Sequence, residues 1–172
     1  MTGDEVLAIF KKTGGYITGS HIVYTSGKHG EVYLNKDAIY PHTKEISAIC
    51  LEIAKKFKDK GIEVVSAPAL GGIILSQWTA YHLSLLTNRE VLGVYTENVR
   101  KAKGQVVAVC VLVNRDSDNI NSKTIGALFY PLAEVKMQAW EEKDCPLCQK
   151  NVPINTTVGK GREYLEKKKL ED

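Results

Sequence analysis

Residues 62–95 constrain this chain most. Residues 62–68, IEVVSAP, form a short apolar run of strand length. Gly71 and Gly72 break it, and an apolar stretch of helical length follows to about Leu86. Residues 91–95 then read as a second buried strand. Strand, helix, strand at this spacing is a crossover unit. It points to an α/β fold around a mainly parallel sheet flanked by helices. Upstream, Thr43 can cap a helix that carries Ile46, Ile49, Cys50, Ile53, Ala54 and Phe57 on one stripe. Downstream, residues 105–113 form another apolar run. Residues 128–140, LFYPLAEVKMQAW, read as a strand pair or as one strand with an edge proline.

The amino-terminal part has a different character. Val6, Leu7, Ile9 and Phe10 fit a short amphipathic helix ending at Gly14-Gly15. Two β-rich runs, 21–25 and 31–35, are separated by SGKHG and are expected to form a small hairpin or hood. The expected organisation is one domain over 1–172: hood elements in 1–42, an α/β core in 43–140 and a tail in 141–172.

One connection does not fit. Only nine mostly polar positions, Thr96 to Gly104, separate the runs at 91–95 and 105–113. Parallel neighbours need a crossover of a dozen residues or more. Either the two runs pair differently, for example as a hairpin, or a segment is missing between them.

Charge and cysteine usage exclude several classes. The formal net charge is +3, and Lys167-Lys168-Lys169 account for much of it. No basic stripe interleaved with aromatics is present, so nucleic acid is not the expected partner. The longest apolar run, 106–113, is too short to cross a bilayer, and no membrane partner is expected. The start carries Asp4 and Glu5 before a helical pattern, unlike a signal peptide. Cys50 and Cys110 lie in apolar patterns and read as buried thiols, in keeping with a reducing cytoplasm.

Four stretches could carry chemistry. In APALGGIILSQ (67–77) a strand gives way through two glycines to a helix. Free backbone N–H groups there make an anion site, or the turn is simply tight. TSGKHGEVYLNKD (25–37) gathers Lys28, His29, Lys36 and Asp37 in loop surroundings, where such residues are commonly just solvated. Arg115 follows the apolar run at 106–113. It could hold a carboxylate through two parallel hydrogen bonds, or pair with Asp116 or Asp118 at the surface. Cys145 and Cys148 form a C-x-x-C, half of a tetrahedral zinc site. The sequence shows no neighbouring histidine to complete it. A packed turn with two thiols is the favoured reading, and zinc shared between subunits the minor one.

Four segments, in order, resemble the orotate phosphoribosyltransferases: TGSHIVYTSGKHGEVYLNKDAIYPH, APALGGIILSQWTAYHL, VLVNR and CPLCQKNVPINTTVGKG. The last is similar to the branch of that family ending in a Cys-Pro-Leu-Cys segment. The resemblance implies transfer of ribose 5-phosphate from phosphoribosyl pyrophosphate to orotate, giving orotidine monophosphate and pyrophosphate in pyrimidine synthesis. It implies magnesium carried on the donor, a cytoplasmic homodimer, and a mobile loop closing over the neighbouring site. By position, Ala69, Leu70, Gly71 and Gly72 fall on the loop that grips pyrophosphate. Many relatives carry lysine at Gly71, so a backbone-only contact is expected here. Tyr33, Leu34 and Arg115 fall on orotate contacts, and Thr25, with Lys28 as a substitute base, on a donor contact. The family's catalytic loop, and the acidic pair with its Thr-Thr-Gly-type ribose-phosphate loop, have no counterpart between Glu97 and Val99. Asn98 to Gly104 resembles only the last turns of the helix after that loop. No catalytic residue is therefore assigned. The rival expectation is an inactive pyrimidine- or phosphate-binding module.

Overall fold

A computed structural model describes residues 1–96 and 105–171. The chain begins with α1 (Gly3–Lys12), closed at its start by a reciprocal cap. The Thr2 hydroxyl accepts from the Glu5 N–H, and the Glu5 carboxylate accepts from the Thr2 N–H at 2.6 Å. Four two-residue strands follow: β1 (Tyr16–Ile17), β2 (Ile22–Val23), β3 (His29–Gly30) and β4 (Tyr33–Leu34). The hairpin forms between β2 and β3. The run at 31–35 does not pair with the run at 21–25 as the sequence suggested; β4 turns back and pairs antiparallel with β1.

The core is built on α2 (Thr43–Phe57). It buries Ile46, Ile49, Cys50, Ile53, Ala54 and Phe57, the residues of the sequence stripe. Its cap position is His42, and no side-chain hydrogen bond caps it, so Thr43 opens the helix without capping it. Next come β5 (Val64–Pro68), α3 (Ile73–Thr87) and β6 (Leu92–Thr96). β5 and β6 are parallel, with Val64 opposite Leu92. β7 (Ala108–Asn114) and β8 (Leu128–Glu134) form a second parallel ladder, bridged by the short α4 (Ser122–Ile125). β8 is a single strand in which Pro131 stands opposite Val111. Its other edge has no strand among the described residues, so the missing proline N–H costs no ladder bond. The tail supplies α5 (Pro146–Gln149) and α6 (Gly161–Glu171).

The parallel sheet therefore stands in two pieces. β6 pairs only with β5, and β7 only with β8, among the described residues. The hairpin between β6 and β7 entertained from the sequence does not form. α3 packs on β5 and β6 and fixes β6 in the first ladder. Leu112 and Val113 of β7 pack against the cluster around Ile46 and Ile49. Ala108 and Cys110 pack with Val65 of β5 against Ile53, Ala54 and Phe57. α2 thus spans both ladders, which keeps them in one core without a shared strand. The sequence match to helix turns at 98–104 lies outside the described residues.

Candidate functional site

The first grouping lies at the carboxyl end of β5, where ligands of open α/β sheets gather. Ala69 and Leu70 are exposed, and their peptide bond is cis. Gly72 donates its N–H to the Pro68 carbonyl at 2.8 Å, closing the turn into α3. The Tyr40 hydroxyl donates to the Gly71 carbonyl. Burial raises the Tyr40 phenol to about 12, with Asp37 adding to the shift, so it remains a donor at neutral pH. A Cβ on Gly71 would come 2.5 Å from Lys36 Nζ. The space a side chain would take here is filled by a lysine ammonium from another element.

A cation thus stands beside the loop for which a backbone-only contact was expected. Lys36 opens a short helical turn at Lys36–Ala38, just after β4, and so joins Tyr33 and Leu34 to the 69–72 loop. Its Nζ also pairs with Asp37 Oδ1 at 2.9 Å. Half of the pair is an exposed carboxylate, which an incoming anion can displace at little cost.

The second grouping centres on Arg115, at the carboxyl end of β7. Asp116 and Asp118 are engaged elsewhere. Asp116 accepts from Asn119 Nδ2 at 2.9 Å, and Asp118 pairs with Lys136 at 3.2 Å. The surface pairing considered for Arg115 is therefore replaced. Its guanidinium lies close enough to Tyr24 to oppose the rise that burial imposes on that phenol. Tyr24 donates its hydroxyl to the Val32 carbonyl at 2.7 Å. Arg115 thus faces the hairpin that bears Thr25 and Lys28. Those two residues are exposed at its tip, and Lys28 pairs with Glu141 at 3.4 Å.

A third grouping brings to Cys145 and Cys148 the histidines that the sequence did not place beside them. His21, His29, Cys145 and Cys148 converge, with one ligand atom of each lying within 4.8 Å of all the others. His29 is wholly buried, not solvated. The hairpin register explains the pair. His29 stands opposite Val23, and His21 lies two residues before Val23, on the same face. The tail then closes on both edges: His21 bridges Ile154, and His29 bridges Trp140. Burial lowers the His29 imidazole, with His21 adding to it, and burial raises the Cys148 thiol to about 11. Tyr40 and His21 are the residues that sequence reasoning passed over, and Lys36 was noted only as a loop lysine. A histidine pair on one hairpin face together with a C-x-x-C was the available signal for His21.

Cys50 and Cys110 are free thiols; Cys50 is buried as expected, and Cys110 is half-buried. Burial raises them to about 11 and about 12.

No family model matches the chain. Among curated proteins, it is 31% identical to the orotate phosphoribosyltransferase of Desulforamulus reducens, with 89% of this chain and 95% of that protein covered. It is likewise 31% identical to that of Pelotomaculum thermopropionicum, with the same coverage. The first alignment runs over 185 positions, more than the 172 residues of this chain. The relative therefore carries internal positions with no counterpart here. Among solved structures, the fold resembles orotate phosphoribosyltransferase from Francisella tularensis, with a TM-score of 0.56 at 12% identity over 95% of this chain and 98% of that one. It also resembles the Mycobacterium tuberculosis enzyme in complex with Fe(III) dicitrate. There the TM-score is 0.59 at 13% identity over 77% of this chain and 96% of that one.

Proposed function

The chain belongs to the orotate phosphoribosyltransferase family, and from that premise we propose how its residues divide the work. It is a transferase of the glycosyl-transfer type. The acceptor is orotate and the donor phosphoribosyl pyrophosphate. Orotate sits against Tyr33 and Leu34, with its carboxylate on the Arg115 guanidinium. The donor pyrophosphate sits on the backbone of Ala69, Leu70, Gly71 and Gly72, with Lys36 supplying the cation that relatives place at the Gly71 position. Thr25 and Lys28 at the hairpin tip contact the donor from the other side. Magnesium enters as the counter-ion of the donor's pyrophosphate.

The observation that carries this reading is the meeting of Lys36 with Gly71. It joins the strand of the orotate contacts to the pyrophosphate loop in one place. The chemistry asked of the protein is modest. An oxocarbenium-like transition state needs the base nitrogen held in line and the departing negative charge stabilised. A lysine and backbone N–H groups of the loop ahead of Gly72 supply the second requirement.

The molecule works as a homodimer in the cytoplasm. α3 is apolar around most of its circumference, yet Tyr81 and Leu85 are 54% and 64% exposed. A helix of that composition is ordinarily covered, and a second copy is the cover. No helix among the described residues is long and apolar enough to cross a membrane. The chain is one domain, with residues 1–42 serving as hood, 43–140 as core and 141–172 as tail.

The test is release of pyrophosphate from phosphoribosyl pyrophosphate with and without orotate. Release that depends on orotate and magnesium supports the reading, and release indifferent to orotate refutes it. Light scattering of the native protein beside Tyr81→Glu tests the dimer. A wild-type monomer refutes that part.

A further inference from the structure

We infer that His21, His29, Cys145 and Cys148 form a structural zinc site within a single chain, locking the tail onto the β2–β3 hairpin. The inference stands apart from the proposed reaction and rests on geometry alone. The ligand atoms are His21 Nε2, His29 Nδ1 and the two Sγ atoms. His21 Nε2 lies 2.9 Å from His29 Nδ1 and 3.7 Å from each sulfur. Cys148 Sγ lies 3.2 Å from His29 Nδ1. A tetrahedron with Zn–S of about 2.3 Å and Zn–N of about 2.0–2.1 Å has edges of about 3.3–3.8 Å. The four printed separations, 2.9–3.7 Å, lie near those edges, and all four ligand atoms fall within 4.8 Å of one another.

The surroundings suit a closed site. His21, His29 and Cys145 are at most 2% exposed, so no position is left open to solvent on their side. His21 Nδ1 lies 2.8 Å from the Val152 carbonyl. That carbonyl can only accept, so Nδ1 carries the proton and Nε2 turns a bare lone pair toward the cluster. Without a cation, three buried polar groups and the half-buried Cys148 thiol must satisfy one another. His29 Nε2 already has no hydrogen-bond partner, and the Tyr164 ring stands edge-to-face with its imidazole at 5.2 Å. Two thiolates and two neutral imidazoles favour zinc among common divalent ions. Binding displaces the two thiol protons to solvent.

The site's place gives it a purpose. The residues between the two histidines, including Thr25 and Lys28, form the hairpin tip. Their ligand partners lie more than a hundred residues away in the tail. Closing a loop of that length by coordination removes much of the freedom of the unfolded chain. It also holds the tip in one position.

The experiment uses the full chain as purified under reducing conditions. Elemental analysis is expected to return one zinc per chain. Cys145 and Cys148 should resist alkylation until a chelator strips the metal, while Cys50 and Cys110 stay unchanged by stripping. Cobalt reconstitution should give the visible absorption of a tetrahedral, thiolate-ligated ion. Cys148→Ser should lose the metal, and Cys50→Ala, remote from the site, should keep it. Metal-free protein whose two tail thiols alkylate at the same rate with and without added zinc overturns the inference. So does a Cys145–Cys148 disulfide in the native protein, or an octahedral cobalt spectrum. None of these readouts requires turnover, so they stand whether or not the proposed reaction does.

Discussion

Lys36 and Gly71 meet in space from two distant positions. The glycine has no side chain, and the lysine ammonium uses the room. Lys36→Met keeps the length and removes the charge. A hydrogen bond to a charged group contributes about 1.5–3 kcal/mol, so KM for the donor should rise about 10- to 100-fold, with KM for orotate little changed. Initial-rate kinetics in both substrates check this. Gly71→Ala would push the ammonium aside and should raise the donor KM in the same direction. Arg115→Ala should instead raise KM for orotate, about 10-fold or more for loss of a paired carboxylate contact. The place of Arg115, one residue past the end of β7, was legible from the sequence because an apolar run precedes it. Lys36 was visible only as a loop lysine, since nothing local encodes a contact with a residue 35 positions away.

At the level of elements, α2 was read correctly because its burial is periodic. Every residue of the stripe is buried, and Ile46, Ile49, Cys50 and Ala54 are completely so. Ile49→Ala should cost about 2–5 kcal/mol, measured by denaturant unfolding. The β2–β3 hairpin was misread because strands of two residues carry almost no pattern. Their pairing is set by the tail. The Lys160 N–H donates to the Val23 carbonyl at 2.7 Å, and a Cβ on Gly159, whose φ is +70°, would strike that same carbonyl. The core thiols bring a pH dependence. Cys110 sits at about 12 when folded, against an ordinary 9.0. Above pH 9 the unfolded chain ionises first, so stability falls from there until the folded thiol titrates near 12. Cys110→Ala should lose less stability than wild type between pH 9 and 11, read from urea midpoints.

Across the whole molecule, the order of strand and helix was enough to reveal an α/β fold, and the short link at 96–104 was enough to reveal its break. The structure gives that break a form: two parallel ladders held on one helix, in place of one continuous sheet. The C-x-x-C was legible, but its partners were not, because they come from the opposite end of the chain and meet it only in the folded state. The proposed division of labour has Arg115, the 69–72 loop and Lys36 together serve phosphoribosyl transfer to orotate. It is tested by the rate of pyrophosphate release from the metal-loaded protein, with magnesium and donor present, as orotate is added. Release should be saturable and orotate-dependent, with the half-saturating orotate concentration raised in Arg115→Ala. A folded protein whose release does not respond to orotate would contradict it.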